Sequence, residues 1–268
     1  MPEMFQFSAQ SSLQQLIIEA PIAIFLAAVR TGTVLTLVPF FGGNGMVRQA
    51  FIMVTVGAVV PMLLPTLPQG IMSPTHAAAL IFKEIFLGLL LGYFLSIIFW
   101  AIEMAGELLD LQRGTTAGSI FNPMLGAQES PLGGLFLRII SYVFFATGGF
   151  IAFLGVLFAS YQAYPVGELL PPFVVGWQNV VFPFVANTFQ LGILYASPLL
   201  IIFFFLDFGL GLMNRFVPQL NVFFLSLPIK SGLCFFFLLF YLNYLIEGFK
   251  HDLFTGAGAA SFLKQVFQ

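Results

Sequence analysis

The sequence predicts an all-α membrane protein of about six long hydrophobic helices, with one long polar loop after the third. Three observations predict it. The 268 residues are 59% hydrophobic and only 7% charged. Mean hydropathy is +1.01. Six stretches approach the ~20 mainly apolar residues that a helix needs to cross a bilayer. So few charges cannot cover a water-exposed surface, so lipid or partner subunits must cover most of it.

The first apolar stretch runs from about Leu13 to Phe40. The N-terminus before it lacks the basic region of a secretory signal, so the stretch is expected to be retained. A Gly42-Gly43-Asn44-Gly45 turn leads to the second, about Met46 to Leu64, ended by Pro65 and Pro68. The third runs from about Ala78 to Leu109. The long connection from Asp110 to Gly134 follows, rich in Gly, Ser and Thr. The fourth, fifth and sixth stretches run from about Leu135 to Ala159, Phe184 to Met213 and Val222 to Ile246. A polar tail closes the chain. The chain thus reads as a single membrane domain, 1–268: segments at 13–109, the loop at 110–134, segments at 135–246 and the tail at 247–268.

The function classes narrow quickly. A net charge of -2 gives no electrostatic case for nucleic acid. The lone Cys234 can form neither an internal disulfide nor a cysteine-cluster metal site, and reads as a small buried apolar residue. His76 and His251 lie far apart in sequence, so no metal site is expected. There is no phosphate-binding Gly-rich loop and no nucleophile elbow, so neither a cofactor nor catalytic residues are expected. The 36 phenylalanines point to extensive helix-to-helix contacts, some with other subunits. Lys and Arg show no clear bias to one set of connections, unlike a simple spanning bundle.

Charges within apolar stretches are candidate functional or assembly residues. Lys83 and Glu84 open the third stretch. Neighbours on a helix do not face each other, so each is expected to have its own partner. Gly88 and Gly92 follow with the spacing that lets another helix approach closely. Glu103 and Glu107 share a helix face and lead to Asp110. Asp207 sits among phenylalanines and must pair, protonate or face water, with Arg138, Lys230 or a neighbouring subunit as candidate partner. Arg215, eight residues on, is too far along the helix to pair with it directly.

The most informative stretch is Asp110-Leu111-Gln112-Arg113-Gly114-Thr115-Thr116-Ala117-Gly118-Ser119-Ile120-Phe121-Asn122-Pro123. Flexible small residues interrupt apolar helices here, carry the bulky Phe121 and close on an Asn-Pro turn signal. Non-helical backbone at membrane depth survives only where it lines a cavity or is buried in protein. The stretch therefore reads either as a re-entrant, plugging loop or as an ordinary surface loop.

Four stretches together resemble the SctT/FliR family, the export-apparatus component shared by virulence-type and flagellar type III secretion. They are Lys83-Glu84 with Gly88 and Gly92; Gly106 to Pro123 around Gln112-Arg113-Gly114; Asp207 to Arg215; and Pro218-Gln219-Leu220-Asn221-Val222-Phe223 with Pro228 and Lys230. Asp110, Gln112-Arg113-Gly114 and Asn122-Pro123 are more similar to the virulence branch. Gly118 stands where the family often has alanine.

The resemblance implies helical hairpins and a fold like a fusion of two partner subunits, the SctR-type and SctS-type membrane proteins. It further implies a place in the bacterial inner membrane within the secretion basal body. Expected contacts there are the larger export-switch and export-gate proteins, the inner rod, unfolded secreted substrates and lipid. The long loop would plug the channel: Gly114, Thr115, Thr116 and Gly118 would let it move, Phe121 would seal, and Arg113 would anchor it through Asp110 or Glu107. The competing reading is a secondary transporter of ions or small solutes using Asp207, Glu103 or Lys83. A membrane-embedded enzyme ranks last.

Overall fold

The structure, a computed structural model, describes residues 21, 22, 24–41, 45–63, 74–115, 130–168, 178–217, 219 and 222–255. The described residues hold seven α-helices and no strand: α1 Ile24–Leu37, α2 Gly45–Leu63, α3 Pro74–Arg113, α4 Pro131–Ala146, α5 Gly149–Ala163, α6 Gln178–Phe216 and α7 Val222–Thr255. A short 3-10 turn at Pro39–Phe41 follows α1. The all-α fold class is the one the composition predicts. Three helices (α3, α6 and α7) are individually long and apolar enough to cross a membrane.

Two stretches differ from expectation. The fourth is two helices, α4 and α5, broken at Thr147-Gly148. Gly148 adopts φ 77, a left-handed conformation open to glycine, and the Thr147 amide and hydroxyl both bond back to Val143 O. Long apolar runs on both sides concealed this break, although Gly148-Gly149 is itself a turn signal. The sixth runs on to Thr255 rather than ending near Ile246. Its buried face, Tyr241, Leu245 and Phe249, repeats every four residues straight through the change to polar composition.

The chain divides into two compact units. The first contains α1, α2, the Pro74–Ser96 part of α3, and α5. On α1, Leu26, Ala27, Arg30, Thr31, Val34 and Leu35 are buried, a helical stripe facing one way, with buried Val38 just beyond its end. α1 runs parallel to α3 and meets it where Gly88 and Gly92 expose backbone. A Cβ on Gly88 would stand 2.7 Å from Thr33 Cβ, and one on Gly92 3.1 Å from Val34 Cα. Phe40, Phe41, Phe51, Phe150 and Phe153 pack together in this unit, most pairs edge-on or tilted and Phe150–Phe153 stacked, with Phe40 and Phe153 centroids 5.4 Å apart.

The second unit contains the rest of α3 with α4, α6 and α7. α4 lies antiparallel to α3. Leu132, Phe136, Ile140 and Phe144 form its buried stripe, and Ser130 caps its N-terminus with Pro131 in the first turn. The helices touch at Gly106, where a Cβ would fall 2.5 Å from Gly133 N. α6 and α7 form an antiparallel hairpin. Asp207 meets Lys230 near the turn, and Tyr241 Oη donates to Tyr195 O at 2.5 Å further down.

Candidate functional site

The site in the second unit is the base of the loop that follows α3. Asp110 to Arg113 form the last turn of α3 and Pro131 opens α4, so both ends of the expected 110–134 connection are helical, while 116–129 lie outside the described residues. The helix stops for a local reason. Gly114 has φ 72, its N–H donates to Leu111 O at 3.1 Å, and the Thr115 N–H donates to Asp110 O at 3.2 Å. This bonding pattern is the Schellman motif, which satisfies the last carbonyls of a helix. The Thr115 hydroxyl also donates to Asp110 O, at 3.0 Å. Gly114 and Thr115, expected to give the loop freedom, form the helix cap in this structure, where glycine's positive φ ends α3.

The Asp110 side chain joins the two ends of the loop. Its Oδ1 pairs with Arg113 Nη2. Its Oδ2 accepts from the Ser130 hydroxyl at 2.6 Å and from the Leu132 amide at 2.8 Å. Asp110 and Arg113 are both buried. A buried ion pair is stable only when further hydrogen bonds satisfy it, and these donors do so for the carboxylate. The Arg113 guanidinium lies 5.4 Å from the Phe235 ring centroid, and its Nε finds no hydrogen-bond partner among the described residues. Two further contacts hold α7 to this base. Leu227 covers Gly114, and Lys230 Nζ donates to Gln112 O at 3.0 Å. The same ammonium reaches Asp207 Oδ1 at 2.7 Å and Oδ2 at 2.8 Å.

A second polar cluster lies within the first unit. Arg30 Nε and Nη2 grip Glu84 Oε2 and Oε1 at 2.5 and 2.9 Å, a bidentate fork. Arg30 also donates to Ser160 O and Tyr164 O, and its guanidinium lies over the Tyr161 ring at 4.2 Å. Lys83 Nζ donates to Pro165 O, Val166 O and Glu168 O, and stands 2.9 Å from Glu84 Oε1. The expectation of separate partners for Lys83 and Glu84 is therefore only half right. The long lysine stem bends back to its neighbour, which spacing along a helix does not reveal.

Of the remaining predicted residues, Glu103 is half-buried and Glu107 exposed, while Asp110, a turn further on, takes the arginine. Asp207 pairs with Lys230 rather than Arg138, but its side chain is 46% exposed in this chain rather than buried. Arg215 and Gln219 are exposed, and Pro228 lies inside α7. Thr116, Gly118, Phe121, Asn122, Pro123, Pro218 and Asn221 lie outside the described residues. Among the described residues no three His, Cys, Asp or Glu side chains gather into a metal site. Sequence reasoning missed Arg30 and Ser130. Arg30 was legible as a charge in the middle of an apolar stretch, and Ser130-Pro131 as a helix-start signal.

The family described as bacterial export proteins, family 1, matches residues 22–255. The chain is 41% identical over 162 residues to the Yop proteins translocation protein T of Yersinia pestis, covering 60% of this chain and 62% of that protein. It is 33% identical over 215 residues to the secretion system apparatus protein SsaT of Salmonella typhimurium, covering 78% and 83%. It is 29% identical over 227 residues to the flagellar biosynthetic protein FliR of Bacillus subtilis, covering 81% and 85%. The matched stretch thus spans about three fifths of the Yersinia relative and most of the other two.

Proposed function

Because this chain belongs to the bacterial export proteins of family 1, we propose that it is a membrane component of a type III export apparatus and that its 114–130 loop gates the entry of unfolded substrate proteins. The whole chain acts as one export-apparatus domain in the bacterial inner membrane. It assembles with the SctR-type and SctS-type subunits and contacts the export-switch and export-gate proteins and the inner rod. The relatives named for Yop translocation and for a secretion system apparatus favour the virulence-type branch.

One observation carries the gating reading. A single buried carboxylate, Asp110, ties the start of the loop to its end, through Arg113, Ser130 and Leu132. Asp110 thus joins the two ends of the 116–129 segment, whose sequence sets the small and polar Thr116, Gly118 and Ser119 beside the apolar Ile120, Phe121, Met124 and Leu125. A flap on a fixed base can close a constriction and be displaced by a modest bias, and an apolar side chain at a constriction seals by dewetting.

Deletion of Thr116 to Phe121, leaving the base intact, tests this in cells that carry the whole apparatus. Ion leakage across the membrane is expected to rise. Unchanged leakage from a correctly assembled apparatus excludes the loop as the gate. Transport by this chain alone in vesicles would instead support the secondary-transporter reading.

A further inference from the structure

Asp207 is at odds with its surroundings. It lies inside the apolar span Val185–Phe216, nine residues before the end of α6, which is about 13 Å along the axis. Its neighbours on the outer side of α6, Phe204, Phe205 and Phe208, are each more than 60% exposed. Only 33% of an 18-residue apolar stretch of this span is buried by the chain itself, against 61% for the corresponding stretch of α3. Lys230 approaches both carboxylate oxygens, and an ionised carboxylate has about four acceptor positions. Nearly half of the side chain stays uncovered. Lipid cannot satisfy it at that depth. Arg215, on the last turn, can reach the interface with its long stem, whereas the short Asp207 side chain cannot.

We propose that the uncovered edge of Asp207 is a docking point for a basic side chain of another export component, and that this contact steadies the loop base through Lys230. Charge complementarity within an uncovered apolar face selects the occupant. A helix with an apolar face and one Lys or Arg supplies the missing donor and covers the phenylalanines together. The link to the gate is one side chain long, because Lys230 holds Asp207 and Gln112 O at once. Gln112 is the residue before Arg113. The inference rests on the export-apparatus reading above, but it does not depend on the loop being the gate.

The test places a cysteine at the position. Membranes holding Asp207→Cys in the complete apparatus, and membranes holding the same chain without the other components, are treated with a membrane-impermeant maleimide. Cys234 is fully buried, and His251→Cys, on an exposed residue in the last turns of α7, serves as a labelling control. Both are compared after extraction in the same mild detergent, so that the bilayer shields the position in neither: labelling is expected in the chain alone and at least ten-fold slower in the complete apparatus. Equal labelling in both means that no other component covers Asp207, and no labelling in either means that the chain itself covers it. Either result overturns the proposal. Charge is tested separately: Asp207→Glu should keep secretion, and Asp207→Asn should lower it at least ten-fold while the apparatus still assembles. Full secretion with Asp207→Asn also overturns the proposal. If the 116–121 deletion leaks while Asp207→Asn secretes normally, the docking inference fails and the gating reading stands.

Discussion

At the scale of single residues, the two polar clusters differ in how much each loses when a partner is removed. Asp110 is the sole charged partner of the buried Arg113 among the ion pairs of the described residues. Asp110→Asn leaves that guanidinium buried without a counter-charge, a change that costs about 3–5 kcal/mol for buried pairs generally. We expect the variant to accumulate poorly or to show a markedly lower thermal transition in detergent, with Ser130→Ala milder at about 1 kcal/mol, the usual cost of a lost helix cap. Similar transitions for the two variants would show that Asp110 is not the keystone of the base. Arg30→Lys tests the other cluster. Glu84 keeps Lys83 as a partner, but lysine cannot reproduce the bidentate fork or reach two carbonyls and a ring together. The expected outcome is a smaller loss than for Asp110→Asn, measured in the same melting assay.

At the scale of elements, glycine sets how closely helices approach. Gly106 of α3 lies on the backbone of α4, so even one methyl group has nowhere to go. Gly106→Ala should cost about 1–3 kcal/mol, the range for overpacking, whereas Gly134→Ala, with open space at its Cβ, should be close to neutral. If both variants melt alike, the close α3–α4 crossing is wrong. The elements were the most legible part of the sequence, since long apolar runs announce themselves. The α4–α5 break is passed over by that signal, because the long apolar runs on either side read as one span, although Gly148-Gly149 is itself a turn signal within them. Of the site, Asp110, Arg113 and Gly114 were legible as a group from the stretch that carries them. Their roles were not, because a Schellman cap and a stretch of flexible loop use the same residues. The Ser130 and Leu132 contacts were hidden by 20 residues of intervening chain.

At the scale of the whole molecule, the uncovered surface of α6 and α7 is the leading property. Only 33% and 28% of an 18-residue apolar stretch in each is buried, and exposed phenylalanines line both. Aromatic rings of this number and exposure suit protein contacts as well as lipid. The chain expressed without the other export components should therefore be recovered from membranes in lower amount. Co-expression with small helical membrane partners should raise the recovered amount several-fold, as read by size-exclusion chromatography and intact-complex mass spectrometry. Equal, monodisperse recovery in both cases would argue that lipid alone covers these faces.

The capped end of α3 also limits how far the loop can extend. With Gly114 and Thr115 held by hydrogen bonds and Ser130 held by Asp110, only residues 116–129 remain to span the distance out and back. A fully extended chain covers at most ~3.3–3.6 Å per residue, so a loop tethered at both ends extends no more than about 25 Å from its base. Inserting Gly-Ser pairs into 116–129 lengthens that tether without touching the clamp, and leakage measured against insert length would act as a ruler for the aperture that one loop can close.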